Sequence, residues 1–374
     1  MDIVLSQNLI IGAGPSGLAI AGRLRHRGIP FDIIEGSDQV AHSWHRHYDR
    51  LHLHTVKQWS HLPHLPFPED FPLYVPRQRL VDYLEDYARH FDIRPRLHQE
   101  VQVIDRIDEA WQVTTQDTAY RAERVIIATG VNRTPKQPSW PGLESYRGKV
   151  VHSRYYKNAE PYVGKNVLVV GMGNTGAELA LDLSEHQVHT YLSVRSPISV
   201  VPRDLNGRPV QVTSKVLAKF PFGLGDWLGS QIRRVYFGDL RPYGLQVSDM
   251  APAKQLRETG KTPIVDIGTI DAIKRGTITV KPDIKGFDEH EVRFSDGSSE
   301  QIDAVILATG YTADVASYFP MVQDFLDENG VPRDAIGEGD LTGAYFIGYD
   351  NYKLGGILGT IQDDSMRIAD NIAS

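Results

Sequence analysis

Two apolar runs, each turning sharply through glycine into an Ala/Leu-rich stretch, set the pattern of this chain. The first is Leu9-Ile10-Ile11, followed by Gly12-Ala13-Gly14-Pro15-Ser16-Gly17. The second is Val167-Leu168-Val169-Val170, followed by Gly171-Met172-Gly173-Asn174-Thr175-Gly176. A continuous apolar run bounded by glycine predicts a strand buried on both faces, so each unit opens as strand, turn and helix. Residues 1–41 read as the first βαβ of a parallel sheet. Leu80, Leu84, Tyr87 and Ala88 share one face of a helix predicted over 81–91. Residues 101–104 and 111–114 read as antiparallel strands, and 124–130 as a buried strand ending in a glycine turn. A second unit begins near Gly164 and closes with a strand over 303–311. Its Ala308-Thr309-Gly310 loosely repeats Ala128-Thr129-Gly130. Beyond 311 the chain returns to the first domain, with a strand at 344–348 and a last helix opened by Gly355-Gly356 and running towards Ile372. The predicted fold class is α/β, with two Rossmann-like dinucleotide-binding domains. The second domain (161–311) is inserted into the first (1–160 and 312–374).

Composition narrows the function. The chain has 374 residues, 41% of them apolar, and a net charge of −7, which argues against a nucleic-acid partner because that needs a basic face. No apolar run approaches the roughly 18 residues of a membrane span. The N-terminus enters the first strand within a few residues, so a cytoplasmic protein is expected. There is no cysteine. That removes electron transfer through a Cys-x-x-Cys pair and removes thiolate metal sites. Seven histidines lie between His42 and His64, but no His-Glu-x-x-His pattern accompanies them, and no metal is expected.

The glycines carry the chemistry. In a GxGxxG turn the first glycine makes the bend, the second lets backbone approach a pyrophosphate, and the third allows close helix–strand packing. The pyrophosphate rests on the positive helix N-terminus. Two such fingerprints, about 160 residues apart, point to two dinucleotides. Their second strands end differently. Eighteen residues past Gly17 stands Glu35, suited to adenosine ribose hydroxyls; eighteen past Gly176 stands Val194, followed by Arg195, suited to a 2′-phosphate. FAD is therefore assigned to the first fingerprint and NADPH to the second.

Two such domains without a redox cysteine resemble the class B flavin-dependent monooxygenases. The stretch Tyr146-Arg147-Gly148-Lys149-Val150-Val151-His152-Ser153-Arg154-Tyr155-Tyr156 fits that family's linker pattern, with Tyr146 where phenylalanine is usual. Tyr156 stands where the Baeyer–Villiger branch has tryptophan. His152 is read as an interdomain hydrogen bonder. The similarity is greatest to the YUCCA-like subgroup, the plant indole-3-pyruvate monooxygenases. It runs through Tyr48-Asp49-Arg50-Leu51-His52-Leu53-His54, Pro66-Phe67-Pro68-Glu69-Asp70-Phe71-Pro72 and Gly260-Lys261-Thr262-Pro263-Ile264-Val265-Asp266-Ile267-Gly268. The sulfur- and nitrogen-oxidising branch has asparagine where His54 stands.

The resemblance implies that NADPH reduces FAD, that O2 adds at flavin C4a, and that one oxygen atom passes to a small-molecule substrate. With an aryl 2-oxo acid such as indole-3-pyruvate, CO2 is lost. Amine or thioether oxygenation is the alternative enzyme reading, and a dinucleotide-binding sensor without turnover is the alternative of another class. His54, with Lys57 and Gln58 just after it, is placed near the flavin edge as the catalytic group. Trp44 and His45 are expected to line FAD. Val101, Thr129 and Gly130 are expected at its adenosine and pyrophosphate, with Asn132 just beyond. Asn174 and Thr175 are expected to reach the nicotinamide side, Ser193 and Arg195 the NADPH adenosine, and Thr309 and Gly310 the second closing turn. The helix start at Gly355 and Gly356 is expected to point its dipole at the flavin pyrimidine. The aromatic stretch 220–245 is read as packed within the NADPH domain or between the subunits of a homodimer, with a lid or a membrane-touching face as the alternative.

Overall fold

A computed structural model describes residues 2–217, 220, 223–350, 352–353 and 355–374. The chain begins with β1 (Asp2–Ile11), α1 (Pro15–His26), β2 (Asp32–Ile34), α2 (Arg77–His90), β3 (Val103–Ile107), β4 (Ala110–Thr114) and β5 (Thr118–Ile127). There follow β6 (Lys149–His152), β7 (Asn166–Val170), α3 (Asn174–Glu185), β8 (His189–Ser193), β9 (Ile278–Lys281) and β10 (Ala304–Leu307). β11 (Ala344–Phe346) and α4 (Gly356–Ala373) close it. Shorter elements lie between these. The fold is mixed α/β and divides into two compact units.

The first unit comprises residues 1–46, 55–134 and 311–374. Its sheet has the order β2-β1-β5-β4-β3, with β11 also pairing with β5. β1 runs parallel to β2 and β5, and β11 parallel to β5. The meander β3-β4-β5 is antiparallel. β5 starts six residues before the expected strand because its first half pairs with β4 on one side and the first half of β1 on the other. α2 starts four residues early, at Arg77, just after the N-cap Pro76, whose fixed φ suits a helix entry. It buries Leu80, Val81, Tyr83, Leu84, Tyr87 and Ala88, the predicted face and its neighbours. Trp111 is almost wholly buried in this unit's core and meets Phe319 edge to face at 5.4 Å.

The second unit comprises residues 47–54 and 135–310. Its main sheet, β9-β8-β7-β10-β6, is parallel throughout. All four residues of β10 and the last four of β7 are buried, as central parallel strands require. Residues 47–54 and 135–160, expected in the first domain, group here instead. The cause is pairing and packing: β6 adds to the edge of β10 with Lys149 opposite Ala304, and Tyr48 and Tyr156 are buried in the core beneath α3. Within the stretch 220–245, Phe237, Leu240 and Leu245 are buried in that core, while Trp227, Val235 and Tyr236 stay exposed. Among the described residues no helix is long and apolar enough to cross a membrane.

Truncating Trp111 to alanine removes the largest buried side chain of the first core and should cost about 3–5 kcal/mol. A chemical denaturation curve checks this, with a fall below about 1 kcal/mol showing that the core is not organised around this ring.

Candidate dinucleotide cradles and the His54 site

The two glycine turns are built alike. At the first, Gly12 has φ +107°, and a Cβ there would stand 2.6 Å from the Ala128 carbonyl oxygen. A Cβ on Gly17 would stand 1.8 Å from the Gly12 oxygen, so only glycine lets α1 close onto the turn. At the second, Gly171 has φ +98° with the Ala308 oxygen 2.9 Å from its Cβ position, and Gly176 meets the Gly171 oxygen at 1.9 Å. The middle glycines differ: Gly14 and Gly173 have nothing within 4 Å of a built Cβ. Both occupy the N-cap of their helix, neither makes a side-chain cap, and neither first turn carries an acid. Each turn therefore presents uncapped N–H groups and helix-dipole charge to an open face, which fits a pyrophosphate.

The acid and the base at the strand ends differ in their surroundings. Glu35 Oε2 accepts from the Ala13 N–H at 2.7 Å and Oε1 from the Ser37 N–H at 2.9 Å. The carboxylate is thus pinned against the first turn, and each oxygen keeps a lone pair for a further donor. Arg195 is exposed just beyond β8, with no ion pair to it among the described residues. Ser193 is buried, and its hydroxyl donates to the Pro282 carbonyl at 2.8 Å. Ser16 is buried in the first turn of α1, its Oγ 2.5 Å from where a Cβ on Gly348 would stand.

Several other expected ligand-facing groups are engaged by the protein itself. Asn174 accepts from the Val265 N–H at 2.7 Å and donates to the Pro263 carbonyl at 3.3 Å, which fixes the start of α3. Thr175, beside it, is partly buried. Lys57 Nζ donates to the carbonyls of Glu69 (2.8 Å) and Phe71 (2.6 Å), clamping the loop 57–71, and Gln58 is exposed. His45 lies 3.1 Å from Glu85 on α2, while Trp44 is partly buried in the same short helix. Val101 is part of the first core. Gly355 and Gly356 have φ +140° and +74°, and Thr55 lies 2.8 Å from the Cβ position of Gly356.

Both Ala-Thr-Gly turns are held by buried polar groups that the motif did not reveal. Thr129 Oγ1 is 2.7 Å from the Tyr318 hydroxyl and 2.8 Å from that of Tyr349, and Gly130 follows with φ +80°. Burial raises the pKa of both phenols, so they stay neutral. In the second unit the Thr309 hydroxyl donates to the Lys136 carbonyl. His152 is buried, accepts from the Arg154 N–H at 3.1 Å, and places Nε2 3.2 Å from the Gly310 carbonyl. Burial lowers its pKa, which favours the neutral ring. These two contacts lie within the second unit, because β6 brings His152 beside the end of β10.

The histidines of 42–64 go to separate partners: His42 to Asp38, His52 to the Arg50 carbonyl, His61 to the Leu62 carbonyl, and His64 stacked on His26. Among the described residues no cluster of three or more metal-ligating side chains occurs. His54 pairs through Nε2 with Glu178. Glu178 is almost fully buried on α3, one turn beyond the second fingerprint. Sequence reading missed it. The available signal was an acid in the apolar run Gly176-Ala177-Glu178-Leu179-Ala180-Leu181, where a solvated face is not expected.

The chain belongs to the flavin-binding monooxygenase-like family, whose description matches residues 9–329. It is a flavin-dependent monooxygenase, an oxidoreductase. It is 38% identical to the probable indole-3-pyruvate monooxygenase YUCCA8 of Arabidopsis thaliana, over 98% of this chain and 88% of that one. It is also 38% identical to the indole-3-pyruvate monooxygenase YUCCA6 of the same plant, over 99% and 90%. In structure it is similar to a flavin-containing monooxygenase from Stenotrophomonas maltophilia, with TM-score 0.75 and 21% identity, covering 100% of this chain and 99% of that one.

The same substitution should act oppositely at two glycines three residues apart. Gly17→Ala forces a Cβ into the Gly12 carbonyl and should cost about 1–3 kcal/mol of stability. Gly14→Ala enters open space and should change stability by only a few tenths of a kcal/mol, yet lower flavin retention. Thermal melts of the apoprotein and flavin content after gel filtration read the two effects. Equal melts for both variants would contradict the geometry.

Proposed function

We propose that this chain is an FAD- and NADPH-dependent monooxygenase that converts a small aryl 2-oxo acid, indole-3-pyruvate being the leading candidate, to the aryl acetate with loss of CO2. The observation that carries the substrate class is the near-full-length identity to indole-3-pyruvate monooxygenases. The two units act as Rossmann-like dinucleotide-binding domains, the second inserted into the first. FAD belongs to the first unit and NADPH to the second.

When bound, the flavin supplies O2 activation after reduction by NADPH; the chain's residues supply placement. The uncapped N–H groups at the start of α1 would hold the FAD pyrophosphate, and the free lone pairs of Glu35 would take ribose hydroxyls. The Thr129–Tyr318–Tyr349 hydroxyl cluster ties down the turn at Gly130. The start of α3 would do the same for NADPH, with Thr175, Thr309 and Gly310 as further candidate contacts. Arg195 clamps the 2′-phosphate, which NADH lacks. Trp44, Gln58 and the start of α4 at Gly355 would line the flavin, and His54 is kept as the candidate proton-handling group.

NADPH should therefore reduce the flavin with a clear preference over NADH. Losing one charge-assisted clamp costs about 1.5–3 kcal/mol, so Arg195→Ala should raise the NADPH KM roughly ten- to a hundredfold and leave NADH kinetics nearly unchanged. Aerobic turnover with indole-3-pyruvate should yield indole-3-acetate in step with NADPH consumed. Equal use of both nicotinamides would overturn the Arg195 assignment, and oxygenation of thioethers or amines without any 2-oxo-acid turnover would overturn the substrate class.

A further inference from the structure

The second unit holds a cavity that none of the fingerprint glycines lines. It encloses about 640 Å³ of empty space, part of it open to solvent, and its described lining falls between residues 201 and 257, inside that unit. Ligand pockets run to roughly 300–1,000 Å³ and combine apolar walls with a few polar groups. The apolar walls here include Val201, Val210, Leu217 and Ile232, each only partly buried. The helix Leu224–Phe237 forms one side, and its sequence opens the space. Gly225, Gly229 and Arg233 recur every four residues and so share a face. A Cβ on Gly225 would stand 2.4 Å from the Leu217 carbonyl oxygen, so this glycine lets the helix Val210–Leu217 pack close. A Cβ on Gly229 would meet nothing nearer than Leu217 Cδ1, at 4.0 Å. Glycine inside a helix is less stable than alanine, and at Gly229 no close contact requires it. Its bare backbone leaves the cavity open.

Arg233 lines the same space. Its Nη2 donates to the Ser248 carbonyl at 3.0 Å, whereas its Nη1 is buried and has no hydrogen-bond partner. No ion pair to Arg233 occurs among the described residues, although the exposed Asp249 attracts it from further away. Burial lowers its pKa, yet a guanidinium stays protonated in proteins. A cation half removed from water thus lacks a counter-ion, a costly arrangement for a protein to keep. The other charges of the described lining, Asp226 and Arg257, bind each other at 2.7 Å. Two arginines and one aspartate leave one net positive charge. The cavity lies one strand beyond the start of α3: Val201 pairs with Val265, whose N–H donates to Asn174 at 2.7 Å.

We propose that this cavity is a binding site for a small apolar monocarboxylate. The carboxylate accepts from Nη1 of Arg233 in a charge-assisted hydrogen bond, and the apolar body lies over Gly229 against Val201, Val210, Leu217 and Ile232. One negative charge matches the lining, since a second would meet Asp226 without a further unpaired cation. The aryl acids of the reaction proposed above have this chemistry, and so do free fatty acids. The site does not depend on that reaction.

Calorimetric titration of the oxidised, FAD-loaded enzyme near neutral pH tests the proposal, with indole-3-acetate and decanoate as probes. At least one should bind, and Arg233→Gln should weaken it roughly ten- to a hundredfold, the loss expected of one charge-assisted contact. Gly229→Leu, which fills the cavity and keeps the guanidinium, should weaken it comparably. The neutral amide of the bound acid should bind at least about tenfold more weakly than the acid. Tighter binding of indole-3-acetate assigns the site to the acids of the reaction, and tighter binding of decanoate to fatty acids. Saturating NADP+ should leave the affinity unchanged. Binding of neither probe, wild-type affinity in both variants, equal affinity for acid and amide, or displacement by NADP+ would each overturn the proposal. Melting curves identify any variant that does not fold, and the comparison of acid with amide needs no variant. Failure to turn over any aryl 2-oxo acid would sink the reaction alone, because the titration involves no turnover.

Discussion

The contact on which the rest depends is the touching of helix and turn at the third glycine of each fingerprint. The space for even one methyl group at Gly17 or Gly176 is already filled by a carbonyl oxygen of the same turn. That closeness lets α1 and α3 start directly at the ends of β1 and β7, with their uncapped N–H groups facing the opening above the sheet. The strand ends then fall into place around the opening: Ala128 and Ala308 supply the carbonyls that crowd the first glycines, and Glu35 is tied back to the Ala13 N–H. A single missing side chain thus fixes the direction of a helix, and the helix fixes where an anion can rest.

Much of this was legible in the sequence because it rests on local rules. Apolar runs ending in glycine located β1, β7 and the helices after them, and the alternation at 111–114 found β4. The final helix was placed within a residue of its observed start by two glycines. The chain's division between units was harder to read. β6 carries only Val150 and Val151 as an apolar signal and gains its place by pairing with a strand more than 150 residues later. The segment 47–54 contributes Tyr48 and Leu51 to a core whose other members begin beyond residue 150. Neither placement has a local signature.

The site followed the same division. The crowded glycine turns were readable because their geometry is set by spacing. Lys57 and Asn174 were read as ligand-facing from their place in a motif, whereas the structure spends them on backbone carbonyls and N–H groups. Such long-range satisfaction of polar groups leaves no periodic trace. The partners that hold the two closing turns, Tyr318, Tyr349 and His152, come from distant segments, as does Glu178 opposite His54.

The membership of 47–54 in the second unit has a consequence for how the protein can be taken apart. The chain passes between units four times, at 46/47, 54/55, 134/135 and 310/311. Excising 135–310 as a free-standing module would therefore leave behind eight residues of its own fabric, with a vacancy under α3 where Tyr48 and Leu51 pack and no histidine opposite Glu178. Four chain crossings, not one, join the two units. Swapping the second unit between relatives would have to carry this small patch along with it, so recombination at the obvious boundaries breeds mismatched chimeras.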